Sequence, residues 1–375
     1  MHSELWPRVI GQHRVKMLLR AALRTGRLAH AYLFHGNEGV GKDAIALELA
    51  RVLHCEQGGE EACGVCASCA RMAILQHPDV NLIVPLPRGS GESKDDGPLE
   101  KLSASDIAAV QSQLAMKAAD PYYRISIPKA TIIKINSIRE LRRTVSLGSS
   151  DSRQKVFVIS TADTMGEEAS NMLLKTLEEP TGSCLIILTT SHREGLLPTI
   201  LSRCQEIRFD PLTENQIASA LVSRNSVDKD RATLVARLAN GSYTRAVELL
   251  DEALQEDRGH VVSFLRSALG SQALQMSKHI DRLTEGNDRD AVARFLTMVL
   301  TWFRDVLVLR HGGTVINIDQ MEDLQKFVAR FPGADVIEAI NEVERAISLV
   351  ERNVYIKLVL LQLSTRLKTI IMHTV

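Results

Sequence analysis

The stretch GNEGVGKD at residues 36–43 departs by one residue from the phosphate-binding loop G-x-x-x-x-G-K-[ST]. In that loop backbone N–H groups cradle phosphates, the lysine reaches them, and the final hydroxyl holds Mg²⁺. Asp43 stands where the hydroxyl is needed, and its charge repels a bound polyanion. We therefore predict a degenerate phosphate loop with Gly36, Gly41 and Lys42 as its binding residues. Binding of ATP or ADP there is in doubt.

ATP hydrolysis also needs an acidic pair at the end of a later apolar strand, where an Asp holds Mg²⁺ and a Glu orients water. Here the strand-like run VFVI is followed by Ser160 and Thr161. Acidic residues return at Asp163, Glu167 and Glu168, which we expect in a turn or a helix start rather than at the strand tip. The sequence thus predicts no ATPase activity of the chain's own.

Four of the six cysteines lie between positions 55 and 69 with the spacing C-x7-C-x2-C-x2-C: Cys55, Cys63, Cys66 and Cys69. Overlapping C-x2-C steps suit tetrahedral Zn²⁺, and four protein ligands leave no open position for water. We predict a structural zinc site, and four unrelated cysteines on a helical hairpin are the less favoured alternative. His54 and His77 lie close by in sequence and are interpreted as surface residues.

Short apolar runs alternate with helical patterns over the first 210 residues. AYLFHG (31–36) predicts a strand and DAIALELARVL a helix, which together give the context that a phosphate loop requires. VFVIS, LIILT and TIIKI predict further strands, and the capping-box spacing of Ser137 and Glu140 predicts a helix start. Residues 86–100, rich in Gly, Pro, Ser and charge, predict a flexible surface insertion. The alternation is typical of a parallel sheet covered by helices.

Beyond Pro211 strand-like runs almost vanish, and apolar residues recur at three- and four-residue steps. We predict an α/β phosphate-loop domain at 1–210 that carries the zinc module (about 55–69). A small helical domain at 211–256 and an all-α domain at 257–375 follow.

The composition excludes several classes of protein. A chain of 375 residues, 45% hydrophobic, is too long for one core and predicts two or three domains. Lys plus Arg and Asp plus Glu both number 45, so the chain lacks the basic field of a free-standing nucleic-acid binder. No run has the length of a membrane-spanning helix, and MHSELWPRVI lacks the apolar core of a signal peptide. These features predict a cytoplasmic protein.

Several motifs occur together in one known family: VIGQ (9–12), HAYLFHGNEGVGKD (30–43), the cysteine cluster, LLKTLEEP (173–180), LSRC (201–204) and ERNVYIKLVLLQL. On these residues the chain resembles bacterial clamp-loader subunits of the AAA+ type that serve DNA polymerase III, and within them the delta prime branch. The resemblance implies an AAA+-like α/β domain, a lid domain at 211–256 and an oligomerising collar domain at 257–375.

The resemblance also implies roles and partners. In that family the Ser-Arg-Cys motif supplies an arginine finger to the nucleotide of the neighbouring subunit, so Ser202 and Arg203 are assigned a catalytic role in trans. A fixed guanidinium on a transferring phosphate stabilises the developing charge. In GSYTR, Thr244 stands at the place of the family's nucleotide-sensing arginine. Implied partners are the gamma/tau ATPase and delta subunits, the sliding clamp indirectly, and primer-template DNA within the complex. The implied function is that of a non-hydrolysing subunit that helps to load the clamp.

Two other functions stay open. The first is an active ATPase subunit of the gamma/tau type, with Asp43 and unidentified acids replacing the usual residues, although Ser160 and Thr161 count against it. The second is a zinc-based nucleic-acid-binding module, but the neighbourhood EQGGEEACGVC is acidic. Arg203 as an ordinary helix-end arginine is the alternative to the finger.

Overall fold

In a computed structural model the chain forms two compact units, residues 1–247 and 248–375. The structure describes residues 6–146, 154–179, 184–250, 252–270, 273–285, 289–313, 315, 317, 320–352 and 354–372. Pro180 and Asn353, which belong to two of the motifs above, lie outside these ranges. Within them, every helix is too short or too polar to cross a membrane.

The first unit has ten helices among the described residues. Numbered along the chain, they are α1 (His13–Thr25), α2 (Lys42–His54), α3 (Ala67–Ala73), α4 (Ala104–Ala119), α5 (Ile135–Ser146), α6 (Glu167–Glu178), α7 (Pro198–Leu201), α8 (Glu214–Asn225), α9 (Lys229–Leu238) and α10 (Tyr243–Glu248). Side-chain caps start several of them: Ser103 accepts the Asp106 N–H at α4, and Thr213 and Gln216 form a capping box at α8.

A parallel five-stranded sheet lies at the centre of the first unit. Its strands are β1 (Ala31–His35), β2 (Val80–Ile83), β3 (Lys155–Ile159), β4 (Cys184–Thr190) and β5 (Gln205–Arg208). Their order is β2-β3-β4-β1-β5, and all neighbours are parallel. Strands β3 and β4 are buried throughout, which explains their uninterrupted apolar runs. Because parallel strands end at one edge, the residues that follow β1, β3 and β4 lie near one another.

The sheet confirms the strands predicted from AYLFHG, VFVIS and LIILT. The strand prediction for TIIKI was wrong, since Ile133 makes only an isolated bridge to Met165. Both sides of β3 are already paired, to β2 and β4, so this stretch has no open place beside that strand. Helix α5 begins at Ile135 rather than at the predicted capping box, and Ser137 is buried inside it. The short strands β2 and β5 were not predicted.

Residues 86–100 contain no helix or strand, in agreement with their composition. They are nevertheless anchored to the body of the unit. Lys134 Nζ lies 2.8 Å from Glu92, and both side chains are less than 10% exposed. The Asn136 side chain donates to the carbonyl oxygens of Ser93 and Asp96. The segment is therefore held by buried polar contacts instead of standing free of the surface.

The described residues of the second unit form helices joined by turns and loops, without a strand, as predicted. Its helices are α11 (Glu252–Leu269), α12 (Ala273–Leu283), α13 (Arg289–Arg310), α14 (Met321–Arg330), α15 (Val336–Glu351) and α16 (Ile356–Met372). Helix α13 packs against α11, α14 and α15, and α15 packs against α16. Aromatic side chains such as Phe295 and Phe303 fill the core. Most apolar residues of these long helices therefore pack against one another within this unit, whereas Ile337, Leu358 and Leu361 are exposed.

Candidate functional site

The glycine loop joins β1 to α2 at the carboxyl edge of the sheet. Gly41 has φ +102°, a conformation that residues with side chains rarely adopt. A Cβ at this position would also lie 2.7 Å from the Tyr122 hydroxyl oxygen. The backbone and the neighbouring tyrosine therefore both require glycine here.

Lys42 is buried and its ammonium is engaged by the loop itself. Nζ donates to the carbonyl oxygens of Gly36 and Asn37, each at 2.7 Å, and to Ser191 Oγ at 3.1 Å. Burial lowers the pKa of Lys42 to about 8, and the nearby Asp43 carboxylate opposes this shift. An ammonium has three N–H donors, so these three acceptors use its full capacity.

Asp43 is the centre of a polar cluster behind the loop. Its carboxylate lies 2.8 Å from Lys117 Nζ, accepts the Ser160 hydroxyl at 2.9 Å and accepts the Thr189 hydroxyl at 2.6 Å. Burial alone would raise the pKa of Asp43, but the Lys117 ammonium and the hydrogen bonds outweigh it and lower the pKa to about 2. Asp43 is thus a carboxylate whose charge is neutralised by the chain.

The hydroxyl and the carboxylate of a working site have exchanged places. The standard arrangement has a hydroxyl on the loop helix and a carboxylate at the strand tip. Here the carboxylate is Asp43 on α2, and the hydroxyl is Ser160 directly after β3. Asp163 lies in a 3-10 turn and accepts the Thr190 hydroxyl at 2.5 Å, as expected for an acid beyond the strand tip. The Lys117 ammonium, absent from the standard arrangement, lies beside the transposed carboxylate.

Tyr122, three residues beyond α4, connects the loop to two other segments. Its hydroxyl oxygen accepts the Ile10 N–H at 2.8 Å, and its carbonyl oxygen accepts the Thr244 hydroxyl at 2.7 Å. Its ring packs edge-on against Tyr243 at 5.0 Å, with the Arg224 guanidinium 5.7 Å from its centroid. The stretch that supplies Lys117 and Tyr122 therefore covers the glycine loop and ties it to α8 and α10.

Arg203 lies between α7 and β5, at the amino edge of the sheet. Nη1 donates to the Thr199 carbonyl oxygen at 2.9 Å, and Nη2 lies 2.7 Å from a Glu178 carboxylate oxygen. About a third of the side chain is exposed, at 34%. Ser202 follows α7 as its C-cap, and its hydroxyl donates to the same Thr199 carbonyl. The glycine loop follows β1 at the opposite edge, and β5, parallel to β1, alone spans roughly 13 Å.

The four cysteines converge as predicted. One sulfur atom from each lies within 4.8 Å of the others. Backbone N–H groups donate to them: Cys63 to Cys55 at 3.3 Å, Cys66 to Cys63 at 3.4 Å and Cys69 to Cys66 at 3.4 Å. Backbone N–H groups of Glu56 and Cys69 lower the pKa of Cys66 to about 6, whereas burial raises the pKa of Cys69 to about 12. The donor set and its convergence fit a tetrahedral metal ion.

The predicted residues thus fall into three separate places. Gly36, Gly41 and Lys42 lie together, the four cysteines lie together, and Ser202 with Arg203 lies at the other edge of the sheet. Sequence reasoning missed Lys117, Tyr122, Thr189 and Glu178, all of which contact predicted residues. One signal was available, because a carboxylate in a buried loop needs a cation close by. That rule does not say which of the chain's 45 lysines and arginines supplies it.

The glycine loop, the cysteine cluster and Arg203 all lie within the part of the chain that matches a known family. A family model described as "DNA polymerase III, delta subunit" matches residues 11–213. The chain belongs to this family. The family resemblance drawn from the sequence motifs is therefore confirmed, and the chain is a subunit of the DNA polymerase III clamp-loader family.

The curated relatives of this chain include a delta' subunit and tau subunits of DNA polymerase III. The chain is 31% identical over 316 residues to DNA polymerase III subunit delta' of Bacillus subtilis, which covers 80% of this chain and 78% of the relative. It is 29% identical to the tau subunit of Escherichia coli, over 76% of this chain but only 39% of tau. A solved gamma-subunit-related protein from Thermotoga maritima aligns over 94% of this chain and 99% of its own at 14% identity, with a TM-score of 0.44.

Proposed function

We propose that the chain is a non-hydrolysing subunit of a DNA polymerase III clamp loader. It supplies Arg203 in trans to a neighbouring ATPase subunit and helps to load the sliding clamp on primed DNA. The observation that carries this proposal is the contact of Lys117 Nζ with the Asp43 carboxylate at 2.8 Å.

The ion pair leaves no place for the metal that hydrolysis needs. Mg²⁺ at Asp43 has to displace the buried ammonium of Lys117, and an ion pair broken in a buried site leaves an uncompensated charge. The Lys42 ammonium is also fully hydrogen-bonded, because it donates to the carbonyl oxygens of Gly36 and Asn37 and to the Ser191 hydroxyl. A nucleotide therefore meets neither a metal site nor a lysine ready to bind phosphate.

The position of Arg203 supports action on a neighbour. It lies at the edge of the sheet opposite to the chain's own glycine loop, so its guanidinium cannot reach that loop. Its ion pair with Glu178 is partly exposed, with side-chain exposures of 34% and 47%, and such pairs contribute about 0–1 kcal/mol. A phosphate of a neighbouring subunit can replace Glu178 at little cost.

The cysteine cluster is proposed to bind one structural Zn²⁺. Its four sulfur ligands leave no position for a substrate or water, so the ion contributes to folding and not to chemistry. We further propose the domain limits 1–210, 211–256 and 257–375, with a lid and an oligomerising collar after the α/β domain. We also propose that the chain assembles with the gamma/tau and delta subunits, that it acts with the clamp and primer-template DNA, and that it is cytoplasmic.

The test is ATP hydrolysis by the reconstituted loader, stimulated by DNA and the clamp, with variants of this chain only. Arg203→Ala is expected to lower turnover at the neighbouring site by about 10³-fold, the size of an arginine-finger effect. Lys42→Ala and the control Arg193→Ala, which removes another paired surface arginine, are expected to leave turnover unchanged. Unchanged turnover with Arg203→Ala overturns the trans role.

One observation favours the active-ATPase alternative. Asp43 and Ser160 together keep the carboxylate and the hydroxyl that hold Mg²⁺ in other members, although in exchanged positions. Loss of turnover with Lys42→Ala, or ATP hydrolysis by the chain alone, selects this alternative over the silent subunit.

A further inference from the structure

A second group of metal-binding side chains lies near the cysteine cluster and shares no residue with it. His54 is the last residue of α2, and His77 and Asp79 precede β2. One ligand atom from each of the three lies within 4.8 Å of the others. The prediction that His54 is a surface residue was wrong, because it is 1% exposed. The end of α2 faces the body of the unit rather than the solvent.

His54 is held in the tautomer that metal binding requires. Its Nδ1 lies 2.9 Å from the carbonyl oxygen of Ala50. A carbonyl can only accept, so Nδ1 carries the hydrogen, and in the neutral ring the lone pair is then on Nε2. A ring N–H donated to a backbone carbonyl is the usual support of a metal-bound histidine, since it fixes the ring and its orientation.

Asp79 and His77 bring the other two ligands from one short turn. Asp79 is 4% exposed, and its carbonyl oxygen accepts the Val156 N–H at 2.8 Å, which fixes the turn against β3. The rings of His54 and His77 lie 4.5 Å apart, centroid to centroid. The Asp79 N–H donates to His77 Nδ1 at 3.2 Å. A metal on Nδ1 takes the lone pair that accepts this bond, and a metal on Nε2 requires the hydrogen to be on Nδ1, so the bond is lost in both cases. At 3.2 Å it is at the long limit for an N–H donor and costs little to lose.

We propose that His54, His77 and Asp79 bind a divalent first-row transition-metal ion, Zn²⁺ in ordinary supply, with water as the fourth ligand. Two imidazoles and one carboxylate are a donor set that Zn²⁺ accepts, and carboxylate with imidazole disfavours the softer ions that select thiolates. The ion joins the end of α2 to the turn before the edge strand β2. The cysteine segment lies between His54 and His77 in sequence, so the ion fixes both ends of this segment beside the edge of the sheet.

The experiment is a metal count on the full-length chain, saturated with Zn²⁺ and passed through a desalting column without chelator. Elemental analysis is expected to give two zinc ions per wild-type chain and one for His77→Ala. The control His192→Ala, which removes an exposed histidine, keeps two. One ion in wild type that persists in His77→Ala overturns the proposal.

Cobalt substitution separates this site from the cysteine site and from misfolding. In His77→Ala, Co²⁺ is expected to keep its thiolate charge-transfer absorption while the bound cobalt falls from two equivalents to one. Asp79→Asn, which keeps the shape of the side chain, is expected to weaken only the second equivalent by more than about 10-fold. If both equivalents in wild type show thiolate absorption, or if Asp79→Asn binds both as wild type does, the proposal fails. Absence of thiolate absorption instead contradicts the proposed cysteine site alone.

Discussion

The two edges of the central sheet treat charge in opposite ways. At the carboxyl edge, Lys117 Nζ and two hydroxyls contact the Asp43 carboxylate inside the unit. The Lys42 ammonium donates to carbonyl oxygens of the loop. At the amino edge, Arg203 is partly exposed and its carboxylate partner Glu178 is too. A buried, saturated pair resists exchange of partners because desolvation makes separation costly, whereas an exposed pair exchanges easily. The edge that resembles a catalytic site thus holds its charges in buried contacts, and the other edge carries a partly exposed pair.

The largest effect on stability is expected from Lys117→Met. It leaves the Asp43 carboxylate with two hydroxyl donors but without the cation in direct contact with it, which we expect to lower the free energy of unfolding by about 3 kcal/mol. Urea unfolding followed by circular dichroism measures this change. The double variant Lys117→Met with Asp43→Asn removes both charges and is expected to recover most of the loss. Equal losses in the single and double variants contradict charge compensation as the cause.

Acid should weaken the carboxyl edge in a defined pH range. The pKa of Asp43 is lowered from 3.8 to about 2 in the folded chain, so folding favours the carboxylate. Its contribution of about 2 kcal/mol is fully present above pH 4 and is lost as the pH falls from about 4 to 2. The stability difference between wild type and Asp43→Asn, measured by urea unfolding across this range, isolates the effect. A difference that does not vary with pH contradicts the lowered pKa.

Local patterns were enough to predict the parts of the sheet that position the glycine loop. AYLFHG and VFVIS are buried on both faces, and a continuous apolar run is the direct record of such burial. The loss of the hydroxyl at Asp43 was equally visible, because it concerns one position of a known motif. The spacing of the four cysteines also predicted their convergence.

Contacts between distant segments were not predictable in the same way. Lys117 reaches Asp43 from a segment with no recognised motif, and nothing in its neighbours marks it as buried. His54 was taken for a surface residue because a single histidine at a helix end has no periodic signal, yet tertiary packing buries it. The local sequence pattern reports which face of a helix or strand is buried. The pairing of two charges depends instead on which distant segments the fold brings together.

A smaller effect is expected from Tyr122→Phe, which tests how the carboxyl edge is covered. The change removes the acceptor of the buried Ile10 N–H and keeps the ring packed against Tyr243. We expect the free energy of unfolding to fall by about 1 kcal/mol, the cost of one hydrogen bond in a buried site. Thermal unfolding measures it, with Tyr123→Phe as the matched control at the next, less buried position. Equal effects of the two changes show that the Ile10 contact does not matter.

The smallest effect is expected at the amino edge, and it tests the ease with which Arg203 changes partner. Glu178→Gln removes the charge that holds the guanidinium and is expected to alter the stability of the chain by less than about 1 kcal/mol. In the reconstituted loader, however, the arginine no longer has to leave a carboxylate before it reaches a neighbouring phosphate. An exposed pair of 0.2–1 kcal/mol corresponds to a gain of about 1.4- to 5-fold in turnover at limiting ATP. A fall in turnover has the opposite meaning, because Glu178 then orients Arg203 for its neighbour instead of restraining it.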